Sequence, residues 1–254
     1  MIKPFNEYFV QAQFEPIKSF YLKDELHPKI WDNFEINEEI KDELIQIAQD
    51  FYEKLELKNE IVDIVLCGSL SNYNWSEKYS DYDLHIIVHY KDLSDDYELV
   101  DKMFDFAKKE WNSEHDIQIK GFDVEIAVQD EEVLYEEIEA GKMGGVFSLL
   151  KNEWIKKPSK QDFVPDEDLI RKKAENIMSQ INEIEDKFKE GGTYDDLIDK
   201  IKKVWKKIKE GRRAGLEKEG EFSLENLVFK LLRRNGYISR LLEVRKKSYD
   251  KQFK

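Results

Sequence analysis

Ile61-Val62-Asp63-Ile64-Val65-Leu66-Cys67-Gly68-Ser69 and, after eleven intervening residues, Asp81-Tyr82-Asp83-Leu84-His85-Ile86-Ile87-Val88 are the two segments around which this chain is organised. The first is β-branched and apolar apart from Asp63, and it stops at Gly68-Ser69, which is the pattern of a buried strand running into a tight turn. Glycine there allows a ligand to approach the backbone closely, and a strand that ends in Gly-Ser and feeds a helix turns N–H groups and a hydroxyl toward one point, a natural cradle for phosphate. The second segment resumes as a strand. Asp81 and Asp83 lie two apart, so the pleat aims both carboxylates at one face. Two like charges that close repel unless a cation lies between them, and hard oxygen donors select magnesium, with manganese as the alternative.

Two ions about 4 Å apart, the arrangement used for in-line phosphoryl displacement, need a third carboxylate. Phe122-Asp123-Val124-Glu125-Ile126 supplies two candidates. They alternate with apolar residues on an expected neighbouring strand and so share a face. Asp123 is preferred, with Glu125 as the alternate. In such a site the protein positions and neutralises, and no protein nucleophile is required.

Outward from these strands, Ile40, Leu44, Ile47, Ala48 and Phe51 fall at helical spacing and predict a helix over about 37–55. A short helix is expected from the Gly-Ser turn through Trp75. Residues 95–111 read as a helix with Leu99, Met103, Phe106 and Ala107 inward. Ile117–Ile119 and Phe122–Val128 read as paired strands around Lys120-Gly121. From Glu131 onward strand signals vanish. Stretches near 166–189, 195–210 and 223–247 are helical by pattern, punctuated by Gly191-Gly192 and by Gly211 to Gly220. Ile201, Val204, Trp205 and Ile208 mark a buried stripe in a lysine-rich helix. The expected fold class is α+β: an irregular arm over 1–35, a small mixed sheet flanked by helices over 36–157, and a helical domain over 158–254.

Gly68-Ser69, then Ser80-Asp81-Tyr82-Asp83, then an acid on a later strand resemble the DNA polymerase β-type nucleotidyltransferase superfamily over about residues 60–130. More narrowly, Lys23-Asp24-Glu25-Leu26, Pro28-Lys29-Ile30-Trp31, Asn72-Tyr73-Asn74-Trp75, Leu84-His85-Ile86 and Val128-Gln129-Asp130 resemble nucleotidyltransferases predicted in tailed bacteriophages, over most of the chain. The resemblance implies a triphosphate held at Gly68 and Ser69. It further implies two magnesium ions on Asp81, Asp83 and a third acid, and transfer of a nucleoside monophosphate, from ATP or another ribonucleoside triphosphate, to a hydroxyl with release of pyrophosphate. The acceptor stays open: an RNA end, a second nucleotide, a small molecule or a protein hydroxyl. The region around Gly141–Lys151 corresponds to one that commonly borders the nucleotide, which makes Ser148 and a lysine at 142 or 151 candidate triphosphate contacts. The competing reading is a catalytically silent nucleotide-binding or host-interaction protein on the same fold.

Composition sets the frame for these candidates. The chain has 254 residues, 41% apolar and 38% charged, which suits a globular protein with a heavily charged surface. A net charge of −14 argues against a surface that coats nucleic acid. From residue 200 onward, however, 18 Lys or Arg stand against 7 Asp or Glu. That basic region is either a set of solvated helix faces or a docking surface for a phosphate-bearing substrate, with Arg212, Arg213, Lys230, Arg233 and Arg234 as the candidate patch and Glu221, Glu225 and Glu243 as their possible ion-pair partners. The helical domain is expected to close over the nucleotide or to receive the acceptor.

The single cysteine, Cys67, excludes an internal disulfide and reads as a packing residue. His85 is either a core residue or a group that orients a carboxylate, and Trp154 and Phe147 are either core or base-stacking. No apolar run is long enough to span a bilayer, and Met1 to Val10 lacks the layout of a signal peptide, so a cytoplasmic protein, in the host if phage-encoded, without membrane partners is expected.

Overall fold

A computed structural model describes residues 15–253, so residues 1–14 of the expected arm lie outside the described residues. The chain forms two compact units: residues 22–162, and residues 163–253 together with 15–21. The arm expected over 1–35 is therefore shared between them. Together the units are α+β, with seven α-helices, a mixed six-stranded sheet and a two-stranded sheet among the described residues.

The sheet unit begins with a small hairpin, β1 (Trp31–Asp32) and β2 (Glu35–Ile36), and helix α1 (Glu38–Lys54). Asn37 caps α1 by accepting from the Ile40 N–H. Then come β3 (Asp63–Cys67), β4 (Tyr82–Val88), α2 (Tyr97–Glu114), β5 (Gln118–Ile119), β6 (Phe122–Asp130), α3 (Glu131–Glu139), β7 (Val146–Ser148) and β8 (Glu153–Lys156). The large sheet has the order β5-β6-β4-β3-β7-β8. β4 and β6 run parallel; β3 is antiparallel to both β4 and β7.

Alternation along these strands builds two cores. Ile64, Leu66, Tyr82, Leu84, Ile86 and Ile126 face α1 and α2, packing on Leu44, Ala48, Phe51, Phe104 and Trp111. Val65, Cys67, Ile87 and Val146 face the other way, toward Leu134 of α3.

Three expectations for this unit are corrected. A 3-10 turn, Ser69–Ser71, stands in place of the short helix after Gly68. β7 and β8 continue the sheet where no strand is expected, because they are only three and four residues long and follow Gly144-Gly145. Helix α2 is rotated from the expected phase: Val100, Phe104 and Trp111 are buried, while Leu99, Met103 and Phe106 are 59%, 39% and 70% exposed. The buried stripe is set by the aromatic partners waiting for it, since Trp111 meets Phe51 and Phe104 meets Tyr90 at ring distances of 5.5 and 5.7 Å.

The helical unit comprises α4 (Glu167–Lys189), α5 (Tyr194–Glu219), α6 (Leu224–Arg234) and α7 (Tyr237–Lys251), with the 3-10 turn Glu15–Phe20 lending Ile17 and Phe20 to its core. Ile201, Val204 and Ile208 are buried there, with Trp205 packed beside them. Thr193 and Asp196 form a capping box at the start of α5. α5 runs on through Gly211 and Gly215 and ends at Gly220, so the expected stop at 210 is too early. The helix expected over 223–247 is broken in two at Gly236, which takes a left-handed conformation at φ 75°. No helix among the described residues is long and apolar enough to cross a membrane.

Candidate active site

The register of β3, β4 and β6 sets the geometry of the site. Cys67 pairs with Asp83 and Asp83 with Glu125, so Asp83 and Glu125 stand side by side on the α3-facing side of the sheet, where β3 turns at Gly68. Gly68 has φ 73° and ψ −157°, a conformation essentially reserved for glycine. A Cβ placed on it would fall 1.7 Å from Asp83 Oδ2, so the carboxylate occupies the space that the missing side chain leaves.

The turn is held from several sides. Ser69 Oγ and Ser80 Oγ are 2.7 Å apart, and Ser80 Oγ accepts the Ser76 N–H at 2.9 Å, which ties the 76–80 loop to the turn. Trp31 Nε1 donates to Leu70 O at 2.7 Å, and Gly145 comes so near Ser71 that a Cβ would lie 2.0 Å from its carbonyl oxygen. Residues 22–31 form a strap over the following loop: the Lys23 N–H donates to Tyr73 O, Trp75 Nε1 donates to Glu25 O, and the His27 and Trp75 rings meet at 4.4 Å. The motif segments Lys23–Leu26, Pro28–Trp31 and Asn72–Trp75 thus belong to one local structure beside Gly68-Ser69.

Behind Asp83 the same sheet face carries a polar chain that sequence reading did not include. Gln129 Nε2 donates to Glu137 Oε2 at 2.9 Å, which leaves Gln129 Oε1 to accept, so the nearby His85 Nδ1, 2.8 Å away, is assigned as a donor. Burial lowers the His85 pKa and keeps the ring neutral. Burial, together with Asp83 and Glu137, raises the Cys67 thiol, in keeping with a packing role.

The third-acid candidates have different surroundings. Asp123 is exposed at the β5 end and accepts from Gln118 Nε2 at 2.6 Å. Glu125 accepts an ion pair from Lys108 Nζ of α2 at 2.5 Å. Among the described residues no three His, Cys, Asp or Glu side chains gather in a group able to hold a metal ion. The donor chemistry suits a hard divalent cation, since Asp83 and Glu125 are adjacent in register and Asp81 leads into the same strand. For Glu125 to serve, Lys108 must release it.

Ser148 and Lys151 are not brought to Gly68. Ser148 pairs with Val65, and its Oγ donates to Asp63 Oδ1 at 2.8 Å, while Lys151 Nζ lies 3.2 Å from Asp63 Oδ2. At about 3.3 Å per residue, Asp63 stands roughly 16 Å along β3 from the turn. Lys151 and Ser148 therefore stabilise a buried carboxylate at the far end of the strand. Trp154 donates to Phe34 O and packs with Trp31 and Phe147 in an aromatic cluster, which assigns both Trp154 and Phe147 to packing.

In the helical unit, Arg213 lies 3.9 Å from Glu217 and Lys230 lies 4.0 Å from Glu221. Arg234 bonds Ser19 and covers Phe20. Glu225 and Glu243 pair with Lys173 and Lys247, not with the arginines.

Lys108 and Glu137 carried a readable signal. Lys108 is four residues after Phe104 and three before Trp111, and Glu137 is three after Leu134, so both share the inward face of their helices. No protein-family model and no curated protein matches this sequence.

Proposed function

We propose that the chain is a metal-dependent nucleotidyltransferase that moves a nucleoside monophosphate from a nucleoside triphosphate to a hydroxyl acceptor and releases pyrophosphate. The observation that carries this reading is the Asp83 carboxylate seated over the Gly68 turn and aligned with Glu125 on the adjacent parallel strand. Asp81, Asp83 and Glu125 are the residues that would hold magnesium or manganese; the register favours Glu125 over Asp123 because Glu125 is the direct neighbour of Asp83. When bound, the ions lower the pKa of the attacking hydroxyl and neutralise charge on the phosphates.

The protein's own residues position the substrate. The Gly68-Ser69 turn offers a close approach to the triphosphate, with the Ser69 hydroxyl fixed by Ser80. Lys108, on releasing Glu125, is a cation available to the triphosphate. His85, held by Gln129, which is in turn held by Glu137, fills the sheet face behind Asp83 and stays uncharged there.

The Lys108–Glu125 ion pair favours a second reading, a catalytically silent nucleotide-binding protein, because an ammonium already neutralises one of the carboxylates. Pyrophosphate release from each ribonucleoside triphosphate, with magnesium or manganese and a mixed nucleic-acid and protein extract as acceptor, separates the two. The transferase reading expects release that Asp83→Asn abolishes. Triphosphate binding without release under every condition supports the silent protein.

A further inference from the structure

A groove of about 530 Å³ runs between α4, α5 and α6 within the helical unit. Its size falls in the range of small-molecule sites, about 300–1,000 Å³. Ile208, Val228 and Leu232 form a buried aliphatic floor, with Phe229 at one wall. Lys172, Lys207 and Arg212 stand around it. Glu225 also lines the groove, but it is taken up by Lys173 at 2.6 Å.

Two features point to an occupant. The first is Gly211, in the interior of the 26-residue helix α5. Glycine weakens a helix relative to alanine, so its presence needs a reason. Packing supplies one at Gly215, where a Cβ would lie 2.7 Å from Ser223 Oγ, but not at Gly211, where a Cβ would meet only Glu225 Cγ at an ordinary 3.6 Å. Gly211 lines the groove, and a larger side chain there would enter it.

The second feature is Arg212. Its guanidinium lies 4.2 Å over the Phe229 ring and its Nε donates to Asn226 Oδ1 at 3.1 Å, which fixes its orientation. It is half-buried, and among the described residues no carboxylate forms an ion pair with it. Burial and the neighbouring Arg233 charge lower its pKa, as expected of a cation lacking a counter-ion. Lys172 and Lys207 likewise form no ion pair among the described residues.

We infer that this groove binds a single-chain amphiphile with an anionic carboxylate or phosphate head, its alkyl chain on the Ile208–Val228–Leu232 floor and its head at Arg212. A chain of methylenes suits the lining better than a stacked base, because Phe229 is the only aromatic residue in it and Arg212 already covers one face of that ring. The inference does not depend on the proposed transferase activity.

Calorimetric titration of the full chain with decyl phosphate, kept below micelle-forming concentrations, tests it against decanol and decyltrimethylammonium. Saturable one-to-one binding of decyl phosphate is expected, at least tenfold tighter than that of the neutral or cationic amphiphile. Arg212→Gln should weaken it tenfold or more, and Gly211→Leu should abolish it. Circular dichroism checks that Gly211→Leu is folded; Arg212→Gln preserves shape and decides the matter if it is not. Equal binding of all three amphiphiles, no binding by the wild type, or unchanged binding in Arg212→Gln would overturn the inference. A dimer in sedimentation that Gly211→Leu splits would assign the groove to a second copy and overturn it as well.

Discussion

Asp83 and Gly68 interlock: the carboxylate Oδ2 stands 1.7 Å from where a Cβ on the glycine would fall. The strand pairing produces this contact, since Cys67, one residue before the glycine, is the register partner of Asp83. Any side chain at 68 must displace the carboxylate on which the proposed chemistry rests.

Gly68→Ala is therefore expected to fail twice. The φ of 73° alone costs on the order of 1–3 kcal/mol for a residue with a Cβ, and moving Asp83 adds to it. Urea unfolding should show that loss, and triphosphate binding should fall with it. A variant as stable as the wild type would mean that the turn adopts another conformation.

Lys108→Met removes the cation from Glu125. Lys108 and Glu125 side chains are 27% and 44% exposed, so the pair contributes less than about 1 kcal/mol and stability should barely change. Manganese affinity, read by paramagnetic resonance, should rise several-fold because Glu125 becomes available. Unchanged affinity would mean that Glu125 is not a ligand.

Ser148→Ala takes a hydrogen bond from Asp63, which is only 3% exposed, and should destabilise the fold by about 1–3 kcal/mol. Lys151→Ala should cost less, since its side chain is 48% exposed. Neither should change triphosphate affinity measured on the folded fraction. A selective tenfold loss of affinity in either variant would return them to the nucleotide.

Acid should weaken the fold through histidine before it does so through carboxylates. Burial lowers the pKa of both His27 and His85, so below about pH 6.5 the unfolded chain takes up protons that the folded chain does not. Their contribution is fully present above about pH 7 and declines as pH falls toward the lowered folded values. The urea midpoint should drop between pH 7.5 and 5.5, with a shallower slope in His85→Gln; a midpoint that rises on acidification would contradict the buried, neutral histidines.

Where the pattern spanned many residues, the fold was legible in the sequence. The face of α1, the strands β3, β4 and β6, and the buried stripe Ile201–Ile208 all follow from apolar spacing. β7 and β8 were not legible because three or four residues hold no usable period, and β3, the strand on which β7 pairs, lies some eighty residues earlier. The phase of α2 is not fixed by its sequence because both stripes are apolar, and only packing shows that Phe104 and Trp111 go inward.

The same split runs through the candidate site. Gly68 and Asp83 are found together as their spacing implies. The ranking of Asp123 over Glu125 could not have come from alternation alone, since both share a face, and only the register with β4 separates them. The resemblance places Ser148 and Lys151 at the nucleotide, whereas Asp63, a charge inside an apolar strand, is the local signal for the partners they take.

The proposed transferase stands on Asp81, Asp83 and Glu125 together binding a divalent cation beside the Gly68 turn. Anomalous scattering from crystals grown with manganese and a non-hydrolysable ATP analogue locates the ion directly. A peak within about 2.0–2.3 Å of oxygens from Asp81, Asp83 and Glu125, with Lys108 turned away from Glu125, is expected. Manganese and nucleotide bound elsewhere, with Lys108 still on Glu125, would contradict it.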